Sequence, residues 1–195
     1  VEVVEMSRKY IPVGIAGSSD RELLENAVRK ARRFAQRLAE YKNEVKLLSG
    51  GDGGLMKIVC KEFVEHGGET IGFIPVEDEG RKPGDPRYNP YNTIRILTGV
   101  TFQTRSIMLV RSSYSFVVLG GGAGTIIEAY LAYLYAIPLI ILTGTGYPSD
   151  DLEKICSEGY LDHRRIIKVY FTGEPEEAAD LSYKLGSEKS RLINA

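Results

Sequence analysis

Apolar residues along this chain fall into two alternating kinds of run. Seven short blocks are apolar on both faces and rich in Val, Ile, Leu and Phe: "IPVGIAG" (11–17), "EVKLLSG" (44–50), "ETIGFIPV" (69–76), "TIRILTG" (93–99), "SFVVLGG" (115–121), "PLIILTG" (138–144) and "RIIKVYFT" (165–172). Between them lie stretches with helical spacing. The first, residues 18–41, keeps Leu23, Leu24, Ala27, Val28, Ala31, Phe34, Ala35 and Leu38 on one face, with Ser19 and Glu22 at capping-box spacing. Further helices are predicted over residues 54–68, where a glycine pair closes the helix, and over 102–113, 124–136, 148–159 and 174–188. Doubly buried strands separated by helices require a parallel sheet covered on both sides. The predicted fold is therefore α/β, a Rossmann-like doubly wound parallel sheet of about seven strands in one nucleotide-binding domain over residues 1–195.

One segment breaks the alternation. "EDEGRKPGDPRYNPYN" (77–92) holds three prolines and two glycines and fits neither helix nor strand. Loops of that length inside compact domains often carry function, and this one is expected to be mobile without ligand, as a lid or a selector of the ligand's base.

In a parallel sheet every strand-to-helix turn opens at the carboxyl edge, where ligands bind. Three of these turns are glycine-rich: "GIAGSSD" (14–20), "SGGDGG" (49–54) and "GGGAGT" (120–125). The third runs straight into a helix, so its free N–H groups and the positive helix end favour an anion, phosphate above all. Gly121, Gly122, Ala123, Gly124 and Thr125 are the candidate phosphate ligands, with Gly17, Ser18, Gly50, Gly51 and Gly53 as further ligand-binding candidates. Neither G-x-G-x-x-G nor G-x-x-x-x-G-K-[ST] occurs, which excludes the ordinary dinucleotide and P-loop fingerprints. Tight turns and close helix–sheet packing also call for glycine. Glu128 is the one acid in an apolar helix a turn from this site. With Thr125 it has the spacing of a capping box, so its sequence context admits both a cap and a chemical role.

Composition narrows the partners. Of 195 residues, 43% are hydrophobic and 26% charged, and the net charge is -1, leaving no basic footprint for nucleic acid. The basic run "RKARRFAQR" (29–37) reads as a solvated helix face. Cys60 and Cys156 stand in apolar helical contexts without ligand spacing, so they read as core thiols, and no metal site is expected. No run reaches the length of a membrane span and no leader precedes the first strand, which makes the cytoplasm the default location.

"GGGAGTIIE" (120–128) resembles the PGGxGTxxE motif of the LONELY GUY (LOG) phosphoribohydrolases, a superfamily long labelled lysine decarboxylases. In "TRSIMLVRSSYSFVVLGGG", Arg105 stands where that family has the arginine of its other motif, at the same distance from the glycines. "GGDGGLM" (50–56) is similar to the family's earlier GGGxxGLM loop, and "GIAGSS" to its first strand turn. The resemblance covers about residues 11–170. It implies a homodimer or higher homo-oligomer that binds a nucleoside 5'-monophosphate and hydrolyses its N-glycosidic bond, with no cofactor required. Glu128 would stabilise the positive charge building on the ribose, and Arg105 would orient the nucleotide and keep Glu128 ionised. Two departures, Gly120 in place of proline and Ser106 in place of lysine, look more like the related molybdenum cofactor carrier proteins, which implies the alternative of a non-catalytic binder of a phosphorylated pterin.

Overall fold

The seven apolar blocks form seven strands of one all-parallel sheet: β1 (Ile11–Ala16), β2 (Val45–Ser49), β3 (Glu69–Ile74), β4 (Ile94–Leu97), β5 (Ser115–Val118), β6 (Leu139–Leu142) and β7 (Val169–Thr172). A computed structural model describes residues 10–193. The ends of the predicted domain span, including the start where a leader would lie, fall outside the described residues. Six α-helices are described: α1 (Glu25–Leu38), α2 (Gly54–Glu65), α3 (Phe102–Arg111), α4 (Ala123–Leu134), α5 (Leu152–Ile155) and α6 (Pro175–Ile193).

The strand order is β4-β3-β2-β1-β5-β6-β7. The chain first winds outward from β1 through β4, then returns to pair β5 with β1 and winds the other way. The reversal between β1 and β5 is the switch point at which ligands enter such sheets. Strand alternation sends Val13, Ile15, Leu47, Val117 and Ile140 into one core with α1, α2 and α6. It sends Phe116, Val118, Leu139 and Ile141 into the other, with Leu109 and Val110 of α3 and Ala129, Ala132 and Tyr133 of α4. Every residue of β5 and β6 is buried. All four residues of β4 are exposed, because it closes one edge of the sheet.

Every predicted helix changes length, three of them most. The first starts seven residues later than its pattern suggested, at Glu25 rather than Ser18, and its N-cap is Leu24 with no side-chain cap bond. The Ser19–Glu22 capping box is therefore not formed. Residues 17–21 instead leave β1 as a loop pinned on both sides: Ser18 N–H donates to Gly120 O (2.8 Å) and Ser18 O accepts from Leu55 N–H (2.8 Å). The helix predicted over 148–159 shrinks to a 3-10 turn, Pro148–Asp151, and the single turn of α5, after which Cys156 is extended. Ser157 and Tyr160 form an isolated bridge there. Cys156 is thus a half-buried thiol outside any helix, whereas Cys60 is fully buried, and burial pushes its pKa up to about 11. The last helix runs five residues past its predicted end.

Segment 77–92 begins inside the 3-10 turn Val76–Asp78 and otherwise holds only turns and irregular backbone. It is tied down by side chains. Arg81 bonds Asp78 and Asp85, Arg87 bonds Asp52 and Asp78, and Asn92 Nδ2 donates to Gly51 O (3.1 Å).

Candidate functional site

At the switch point the loops after β1, β2 and β5 enclose a cleft of about 680 Å³. Its floor is the start of α4. Gly122 is the N-cap and provides no side-chain cap, and the first bond of the helix ladder is Ile126 N–H to Gly122 O (3.0 Å). The N–H groups of Ala123, Gly124 and Thr125 therefore have no partner within the helix, and the positive end of a three-turn helix points the same way. A Cβ placed on Gly122 or Gly124 would meet nothing within 4 Å, so both glycines border open space.

One wall is polar and buried. Arg105 and Ser106 are consecutive on α3, and both reach Glu128 on α4. Arg105 Nη1 lies 3.3 Å from Glu128 Oε1, and Ser106 Oγ donates to the same oxygen at 2.8 Å. Arg105 is 5% and Glu128 7% exposed. The capping reading of Glu128 fails, because Thr125 lies within the first turn and is not the N-cap. The carboxylate crosses to α3 instead. Burial is the largest influence on it and raises its pKa above the ordinary value; Arg105 and then Ser106 pull against that without reversing it. Arg105 lowers the pKa of this acid in the expected direction, by less than burial raises it. Two hydrogen-bonding positions stay unspent. Glu128 Oε2 carries no hydrogen bond among the described residues, and Arg105 Nε is a buried donor without a partner.

The predicted ligand residues divide. Gly17, Ser18, Arg105, Gly122, Ala123, Gly124, Thr125 and Glu128 all line the cleft. Gly121 does not: its N–H donates to Ser149 Oγ (3.0 Å) and its carbonyl accepts from Ser149 N–H, so its polar groups are already used. Gly50, Gly51 and Gly53 stand behind the cleft and make room for neighbours. A Cβ on Gly50 would overlap the Arg105 guanidinium, one on Gly51 the Ile74 side chain, and one on Gly53 would come within 2.8 Å of Pro86 O. These glycines let an arginine and the 77–92 segment press against the turn after β2.

Sequence reasoning did not single out Asp20, Arg21, Asp52, Arg87, Phe102 or Gln103, all of which line the cleft. Asp52 lies inside the glycine turn and Arg87 inside the flagged loop, but neither position reveals that they meet. Ser106 had a visible signal, since it departs from the family pattern beside Arg105.

The chain matches the SLOG cluster4 family over residues 10–179. An uncharacterized protein from Archaeoglobus fulgidus is 31% identical over 124 residues, which is 64% of this chain and 74% of that protein. The X-ray structure of TM1055, a structural genomics target, is similar at a TM-score of 0.77 and 30% identity, over 90% of this chain and 99% of that one. A Moco carrier protein from Chlamydomonas reinhardtii is similar at 0.71 and 25% identity, over 92% and 99%. A molybdenum cofactor binding protein from Rippkaea orientalis shares the fold at 0.73 and 23% identity, over 92% and 99%. The Rossmann-like sheet, the glycine turns at its switch point and the match across most of its length agree: this chain belongs to the SLOG cluster4 family.

Proposed function

We propose that this protein binds a small phosphorylated ligand of nucleotide or pterin type, with the phosphate on the N–H groups at the start of α4. The observation that carries this reading is the open first turn of α4 in the same cleft as a buried arginine whose Nε has no partner among the described residues. Both features suit an anion with further oxygen atoms beyond it. The likeness to the Chlamydomonas carrier protein supports a role in holding such a ligand, the molybdenum cofactor being one example. Gly124→Asp tests the site. Its side chain would enter open space and an acid is favoured in the first helical turn, by about 0.3–1 kcal/mol, so the thermal midpoint should hold or rise. Affinity for inorganic phosphate and for AMP, measured by titration calorimetry, should fall at least about tenfold through like-charge repulsion. Unchanged affinity would refute the site.

A second reading, hydrolysis of a nucleoside 5'-monophosphate to free base and ribose 5-phosphate, is favoured by the unbonded Oε2 of Glu128 beside Arg105. In that role the ionised carboxylate steadies the positive charge on the ribose and directs a water to it. No release of base from AMP, GMP, CMP or UMP would leave only the binding function. Both readings imply a homo-oligomer through the family resemblance. The adjacent helices α3 and α4 support this by leaving Met108, Ile127, Leu134 and Tyr135 exposed.

A further inference from the structure

Arg87 projects from the irregular 77–92 segment into the same cleft as the start of α4, and its surroundings are unusual for a surface arginine. Its Nε sits 3.1 and 3.2 Å from the two carboxylate oxygens of Asp52, and its Nη2 donates to Asp52 (2.8 Å) and to Asp78 (3.0 Å). Both acids are buried, at 3% and 5% exposure. The guanidinium lies over the Phe102 ring, 4.9 Å from its centroid. One edge of the planar cation is therefore locked by carboxylates and one side is backed by an aromatic ring, while about a third of the side chain (33%) stays exposed at the cleft. Gly53 makes this possible, since a side chain there would collide with the backbone of Pro86 and Arg87.

This arrangement discriminates between kinds of ligand group. A second anion is poorly served, because the Nε–Nη2 fork that would grip it is spent on Asp52, only Nη1 is left, and two buried acids already offset much of the charge. What remains is a flat, rigid, cationic face. Such a face attracts the π-surface of a ring and loses little side-chain entropy when it does so. We infer that Arg87, backed by Phe102, is the stacking platform for a planar heteroaromatic ring of the ligand, and so a specificity-determining residue of the cleft.

The inference rests on the phosphate site proposed above, and the experiment separates the two. Titration calorimetry on the full chain compares inorganic phosphate, ribose 5-phosphate and the four nucleoside monophosphates. At least one nucleotide should bind about tenfold or more tightly than ribose 5-phosphate, as base stacking on such platforms contributes. Arg87→Lys keeps the charge but removes the plane, and Phe102→Leu removes the backing ring. In each, the nucleotide-to-ribose 5-phosphate affinity ratio should collapse towards one, in protein that still melts cooperatively. A ratio that persists in both variants overturns the platform, since a merely structural role for Arg87 would lower both affinities together. Nucleotides binding no more tightly than ribose 5-phosphate would also overturn it, leaving the phosphate site intact. Failure of phosphate and ribose 5-phosphate to bind at all would remove the site itself, and the platform with it.

Discussion

Glu128 shows how burial and pairing compete at one residue. A carboxyl group whose pKa is raised on folding binds its proton more tightly in the native than in the unfolded chain. Its contribution to stability is fully present below the unfolded carboxylate pKa and is lost as pH rises through the raised native value. Asp85, Asp162, Asp180 and Glu176 are shifted the other way, so their contributions are present above the ordinary range and are lost on acidification. Comparison with Glu128→Gln isolates the first effect from the second. Thermal midpoints measured between about pH 4 and pH 8 should show the unmodified protein losing ground to the variant as pH rises. A constant difference across that range would mean that Glu128 does not titrate anomalously. The same variant should lower any turnover by about two orders of magnitude, as loss of an electrostatic stabiliser does.

Among the elements, the 77–92 segment was read as mobile because its prolines and glycines favour no regular structure. Its side chains supply what its backbone lacks. The chain of Arg81, Asp78, Arg87 and Asp52 fastens it to the turn after β2, and Asn92 adds a bond to Gly51. Asp52→Asn removes the charge that holds Arg87. Hydrogen bonds to charged groups contribute about 1.5–3 kcal/mol, so amide exchange across 77–92 should speed up about tenfold or more in that variant. Exchange that is already as fast in the unmodified protein would show that the network does not hold the segment. Comparing exchange with and without AMP then asks whether the segment tightens as a lid.

For the whole molecule, no described helix is long and apolar enough to cross a membrane, and no described group of three or more His, Cys, Asp or Glu side chains could hold a metal ion. The exposed apolar residues of α3 and α4 bear on the proposed homo-oligomer. Leu134 and Tyr135 at the end of α4 are 47% and 40% exposed, with Arg111 of α3 over the Tyr135 ring (5.4 Å). If these helices face a second copy, sedimentation should show a dimer and Leu134→Glu should shift it to monomer with little change in the melting of each subunit. A monomer in the unmodified protein would remove the dimer from the proposal.

The strand and helix order was legible in the chain because doubly buried parallel strands leave apolar runs that few other structures require. The glycine turns and the family motif likewise placed α4, Arg105 and Glu128 at one sheet edge before any coordinates. Element ends were less legible. The start of α1 depends on where Ser18 is pinned, by Gly120 and Leu55 from distant parts of the chain, and no local pattern near Ser19 reports that. The same holds for the glycines after β2, which look as ligand-ready in sequence as those before α4. Only the tertiary structure shows that Gly122 and Gly124 border open space while Gly50 and Gly53 give way to Arg105 and the 77–92 segment. The pairing of Arg87 with Asp52 and the direction of the Glu128 shift have the same origin. Periodicity is a property of neighbouring residues, but burial and charge pairing depend on groups that meet only once the sheet has brought its loops together.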